Sequence, residues 1–141
     1  MPRTLVTYAC SNAATYLFAS YIYALLVEQK KEVDLRWVMK VTSVDAYDAV
    51  ILGSELDQGH VHEDGVELLD SLQRPLSKKT LWLYKCGTAH PEGMHHLYDA
   101  RTKETLAPLL QLVKPKELKI FSEDAGLALS AWSKKLITHL H

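Results

Sequence analysis

Hydrophobic and polar positions alternate along the chain between short β-like runs and longer segments with helical spacing. Thr4 to Ala9, TLVTYA, is short, apolar and β-rich, which predicts a buried strand. Ser11 or Asn12 can cap a helix from about Ala13 to Lys30. Leu17, Tyr21, Ala24 and Leu25 are its expected inward stripe, widened by Phe18, Ile22 and Leu26. EVDLRWV alternates and predicts a second strand with one exposed face. Ala49 to Leu52 is apolar throughout, which predicts a third strand buried on both faces. DGVELLDSLQRPL is an amphipathic helix closed by Pro75, and KTLWLYKCG is a fourth strand ending in Gly87. A polar, histidine-rich loop spans Thr88 to His96, and Asp99 to Val113 has helical spacing with Pro108 as its kink. ELKIF is a fifth strand, and Gly126 to Leu140 is a closing helix.

Strands that alternate with helices from end to end specify a parallel sheet covered on both faces, with right-handed crossovers. The expected fold is therefore α/β: a three-layer, doubly wound, parallel five-stranded sheet in the order 2-1-3-4-5, formed by one domain over residues 1–141. No internal repeat or low-complexity segment interrupts it.

Composition narrows the function classes. The chain has 141 residues, 48% hydrophobic and 23% charged, with a formal net charge of -1. Phosphate-backbone binding needs clustered Lys and Arg, and the short basic clusters at Lys114, Lys116 and Lys119 and at Lys134 and Lys135 read as solvated faces, so nucleic acid is not an expected partner. Two cysteines without CxxC spacing point to a reducing, cytoplasmic setting. Residues 4–27 carry no charge, but Ser11, Asn12 and Thr15 divide the stretch, and the clean remainder from Tyr16 to Val27 is too short for a span of about 20 residues. It ends in the polar EQKKE rather than in a small-residue cleavage site, so neither a membrane span nor a signal peptide is expected.

In an open parallel sheet, ligands bind beyond the carboxyl ends of the strands, where the strand order reverses. For the order 2-1-3-4-5 that crevice lies between strands one and three. Three loops border it: Cys10 to Thr15, Ser54 to Asp64, and Lys85 to His96. The first combines small residues, hydroxyls and a helix start, the features of an anion site, and equally of a plain capped turn.

The segments YACSNAATYLFA, AYDAVILGSELDQGHVH, KTLWLYKCG and LALSAWSKKLITHL cover most of the chain. Through them it resembles the flavodoxin domain family, and within it the short proteins related to menaquinone-dependent protoporphyrinogen oxidase. Such proteins commonly carry T-x-x-G-x-T after the first strand, YD-x-V-x-x-G-S before the second loop and G-H-x-H or G-R-x-x after it. Tyr47-Asp48, Gly53-Ser54 and Gly59-His60-Val61-His62 fall at that spacing.

The resemblance implies a flavodoxin-like fold with a flavin mononucleotide (FMN) site and a role in electron transfer or as a flavin-dependent oxidoreductase. Ser11, Asn12, Ala13, Ala14 and Thr15, with Cys10 opening the turn, would hold the phosphate. Ser54, Glu55, Leu56, Asp57, Gln58, Gly59 and His60 would lie along one side of the flavin ring, and Cys86, Gly87, Thr88, Ala89 and His90 along the other. A redox partner protein or a quinone would exchange the electrons. The chain departs from the pattern at Cys10, where a hydroxyl residue is usual, at Ala13, where glycine is usual, and at Asp57 and Gln58, where an aromatic ring usually stacks.

Other readings stay open. A flavodoxin-like domain without flavin can serve as a scaffold or partner-binding module. The strand, Cys10 and helix start also resemble the IIB components of the sugar phosphotransferase system, in which a cysteine at this place carries a phosphoryl group. A cysteine phosphatase would need an arginine six positions after its nucleophile, where Cys10 has Tyr16 and Cys86 has Glu92. A Cys10–Cys86 disulfide is not expected, because strands one and four are about 10 Å apart. His60, His62, His90, His95 and His96 are expected at one end of the sheet but lack the close ligand spacing of a zinc module, and no metal site is assigned.

Overall fold

β1 (Arg3–Ala9) is an interior strand of the sheet, with β2 (Glu32–Trp37) on one side and β3 (Ala49–Asp57) on the other. The structure is a computed structural model and describes residues 3–9, 13–57, 60–61, 63–87, 115–122 and 126–139. Beyond β3 lie β5 (Thr80–Gly87) and β6 (Glu117–Ser122), so the parallel strands run β2-β1-β3-β5-β6. The sheet departs from the expected five-stranded, wholly parallel arrangement. Among the described residues it has six strands, because a short β4 (His60–Val61) turns back and pairs antiparallel with the end of β3.

The α-helices among the described residues are α1 (Ala13–Glu28), α2 (Glu63–Ser71), the short α3 (Gln73–Leu76) and α4 (Gly126–His139). Side chains of a strand point alternately to opposite faces, and this divides the core in two. On one face Leu5, Val50, Leu52, Leu81 and Leu83 pack with Leu68 and Leu69 of α2 and with Leu76. On the other, Val6, Ile51, Trp82 and Tyr84 pack with Phe18, Ile22 and Leu26 of α1 and with Leu129, Trp132 and Leu136 of α4.

The buried face of α1 is not the expected stripe. Thr15, Phe18, Ala19, Ile22 and Leu26 face the sheet, while Leu17 is 62% exposed and Tyr21 and Ala24 also face outward. Ala13 to Val27 contains no charged residue, so no polar face marks the solvent side, and the contacts with the sheet decide the rotation. The helix stops at Glu28 rather than Lys30. Lys31 N–H donates to the Leu26 carbonyl and Lys30 N–H to the Val27 carbonyl, a Schellman closure with Lys30 in the left-handed region at φ 60°.

Pro75 does not close the amphipathic helix. That helix breaks at Leu72, and Pro75 sits as the third residue of α3, where its missing N–H forfeits no helical bond. The expected helix over 99–113 and the loop over 88–96 lie outside the described residues. Among the described residues, no helix is long and apolar enough to cross a membrane.

Candidate functional site

The strand order reverses at β1, whose connections lead outward to β2 on one side and, later in the chain, to β3 on the other. The crevice expected there opens at the carboxyl ends of β1 and β3, where Ala9 stands opposite Ser54. Both residues are buried. The first turn of α2 closes over them: a Cβ added at Gly65 would meet the Ala9 Cβ and the Ser54 Oγ, each at 3.4 Å. The glycine therefore lets the helix approach the strand ends closely.

On the opposite face, the first turn of α1 is tied to the sheet by Tyr84. Gly53 of β3 and Tyr84 of β5 are directly paired, and a Cβ at Gly53 would collide with the hydroxyl end of the Tyr84 ring. The ring covers the glycine, and its hydroxyl donates to the Thr15 carbonyl oxygen at 3.2 Å. Trp132 of α4 meets the Tyr84 ring edge-on at 5.9 Å, and meets Trp82 in the same way at 6.0 Å. A polar contact is thus enclosed in an aromatic cluster.

Thr15 itself is fully buried, and its Oγ1 has no hydrogen-bond partner among the described residues. A buried hydroxyl left unpaired costs about 1–3 kcal/mol, so this atom needs a reason. It belongs to the third residue of α1, in the first turn, where the leading N–H groups of a helix lack intrahelical partners and carry partial positive charge. Tyr8 and Tyr16 meet edge-on at 5.1 Å on the same side of the sheet.

Of the residues expected to flank a ligand, Ser54, Glu55, Leu56 and Asp57 are strand rather than loop. Ser54, Glu55 and Leu56 pair with Lys85, Cys86 and Gly87 of β5, and Leu56 and Asp57 pair with Val61 and His60 of β4. The second loop is a β-hairpin because only two residues separate the paired Asp57 and His60. Cys86 and Gly87 likewise end β5, opposite Phe121 and Ser122 of β6. Ala13 and Ala14 open α1. Cys10, Ser11, Asn12, Gln58, Gly59, Thr88, Ala89 and His90 lie outside the described residues, as do His62, His95 and His96. Among the described residues, no group of three or more His, Cys, Asp or Glu could hold a metal ion.

Tyr47 and Asp48 lie at the other end of the sheet and knit the strand starts together. The Tyr47 hydroxyl donates to Asp34 Oδ2 at 2.7 Å, and the Arg3 guanidinium reaches the same oxygen at 3.2 Å. Arg3 N–H donates to Asp48 Oδ2, Asp48 N–H donates to the Arg3 carbonyl, and Thr80 N–H donates to the Asp48 carbonyl. Burial, and then the bond to Asp34, push the Tyr47 hydroxyl above the usual phenol range. The hydrogen bond with Tyr47 in turn raises the Arg36 guanidinium.

Tyr84 and Gly65 were not singled out by the sequence reading. The available signal was Gly53, a glycine inside an apolar strand, which marks a close approach by another group.

A family profile described as a flavodoxin domain matches residues 5–138. Among solved structures, flavodoxin 1 from Bacillus cereus is 18% identical with a TM-score of 0.69, and 99% of each chain is covered. A Fusobacterium nucleatum flavodoxin bound to flavin mononucleotide is 14% identical with a TM-score of 0.71, and both chains are covered fully at 100%. The rubredoxin oxygen:oxidoreductase of Desulfovibrio gigas is 12% identical with a TM-score of 0.70; 98% of this chain is covered but only 36% of that one. At these identities the likeness is one of fold. No curated protein matches the chain by sequence.

Proposed function

Because this chain belongs to the flavodoxin domain family, we propose that it binds FMN and works as an electron-transfer protein. The observation that carries the reading is the Thr15 hydroxyl, buried and unpartnered among the described residues at the head of α1. A phosphate oxygen accepts such a hydroxyl's proton in a hydrogen bond, and the N–H groups of the helix start favour its charge. Of the T-x-x-G-x-T pattern the chain keeps this final threonine, while Cys10 and Ala13 depart from it.

In this reading Cys10, Ser11, Asn12, Ala13, Ala14 and Thr15 form the phosphate turn. Ser54 to His60 and Cys86 to His90 border the ring. FMN, when bound, supplies one- or two-electron redox chemistry. The chain's part is to bind and orient it. The ladder from Ser54–Leu56 to Lys85–Gly87 holds the two bordering stretches at a fixed spacing. The Tyr47-Asp48, Gly53-Ser54 and Gly59-His60-Val61-His62 block supports the finer kinship with proteins related to menaquinone-dependent protoporphyrinogen oxidase, and with it a quinone or a redox protein as electron partner. The absence of CxxC spacing supports a cytoplasmic setting.

The test is the visible spectrum of the purified protein, followed by titration of the apoprotein with FMN. Saturable quenching of flavin fluorescence is expected. A colourless protein with no saturation at high micromolar FMN overturns the reading.

A further inference from the structure

We infer that Tyr84 is a positioning residue for the ligand's phosphate, acting by fixing the first turn of α1 to the sheet. The inference rests on the FMN reading and goes beyond it, because Tyr84 lies within β5, outside the three expected ligand-bordering loops.

Three observations converge on it. First, the Tyr84 ring has little freedom. It lies across Gly53, is 1% exposed, and is backed by the edge of Trp132. Second, the hydroxyl at the end of this fixed ring donates to the carbonyl of Thr15, the third residue of α1. A carbonyl has two lone pairs, so Thr15 can accept this bond and still serve its own helix. Third, α1 has no charged residue from Ala13 to Val27, so hydrophobic burial alone sets its rotation weakly.

A directional bond between a rigid ring and the first turn supplies what the sequence of α1 lacks. It selects the rotation in which Phe18, Ile22 and Leu26 are buried, and it fixes the height of the first turn above the strand ends. That turn carries the Thr15 hydroxyl, unpartnered among the described residues, and the leading end of the helix, whose partial positive charge favours an anion. Tyr84 therefore acts on the phosphate end of the ligand and not on the ring, and it favours phosphorylated over unphosphorylated flavin.

The test compares FMN with riboflavin on wild-type protein and on Tyr84→Phe, which keeps the ring over Gly53 and removes only the hydroxyl. FMN affinity is expected to fall about five- to tenfold, the worth of one hydrogen bond, with riboflavin affinity unchanged within about twofold. Equal losses for both flavins, or no loss for either, overturn the inference while leaving the FMN reading intact. Wild-type protein that takes up neither flavin overturns both. Amide hydrogen exchange on the two apoproteins gives a readout that needs no ligand. Exchange at residues 17–19 is expected to speed up in Tyr84→Phe, while residues 24–26 stay as in wild type. Uniform acceleration along α1, or none, overturns the inference. Should Tyr84→Phe fail to fold, Trp132→Phe replaces it: it loosens the backing of the ring and keeps the hydroxyl. A smaller loss of FMN affinity than of riboflavin affinity in that variant overturns the inference, and a larger one supports it.

Discussion

The Tyr84 ring lies across Gly53, its direct partner on the neighbouring strand, and occupies the space in which a side chain at position 53 would stand. Gly53→Ala is therefore expected to destabilise the fold by about 3 kcal/mol, the upper range for overpacking a filled core. The measurement is urea unfolding, repeated in a Tyr84→Leu background. There the alanine should cost far less, since the two positions share one space. Equal costs in both backgrounds would show that the ring is not what excludes the methyl group.

Thr15→Val should move stability and binding in opposite directions. The change is nearly isosteric and removes a buried hydroxyl with no partner among the described residues, so the apoprotein should gain about 1 kcal/mol. FMN affinity should fall about tenfold, because the same hydroxyl is assigned to the phosphate. Thermal melts of the apoprotein and flavin titration check the two halves. A destabilised apoprotein would mean that Thr15 is already satisfied without ligand.

How much of this was legible in the sequence varies by element. The alternation of apolar strands with helical segments gives the α/β layout and the parallel sheet, because those periodicities are local. The buried face of α1 is not legible: with no charge from Ala13 to Val27 no polar face marks the solvent side, and Leu17, expected inward, faces out. The hairpin from β3 to β4 is hidden in the sequence because Glu55, Asp57, Gln58, Gly59 and His60 look like loop, yet Leu56 and Asp57 pair with Val61 and His60. Pro75 looks like a helix stop in the sequence, but its place within the first turn of α3 tolerates it. The candidate site was half legible. Thr15 belongs to the turn of small residues and hydroxyls that the sequence marks before a helix start, whereas Tyr84 acts through a strand register that only the folded chain defines.

Tyr47→Phe should cost about 1–2 kcal/mol near neutral pH through loss of the bond to Asp34. The folded hydroxyl titrates above its unfolded value of about 10. Its contribution is therefore fully present below pH about 10 and is lost as pH rises through the higher folded value. Chemical denaturation between pH 8 and pH 11, roughly the window around that unfolded value, should show a shallower alkaline decline in the variant. Parallel curves would contradict the assignment.

Lys30→Gly should stabilise the protein by about 0.5–1 kcal/mol. Lys30 holds φ 60° at the end of α1, a conformation that glycine adopts without the Cβ penalty. A rise of a few degrees in Tm is the expected result. A fall would mean that the lysine side chain contributes more than the backbone strain costs.

The most direct test of the central claim is phosphorus NMR of FMN during titration of the wild-type apoprotein. A distinct bound resonance that grows to one equivalent, and that loses occupancy at equal concentration in Thr15→Val, is the predicted result. A spectrum containing only the free phosphate resonance at every ratio would contradict it.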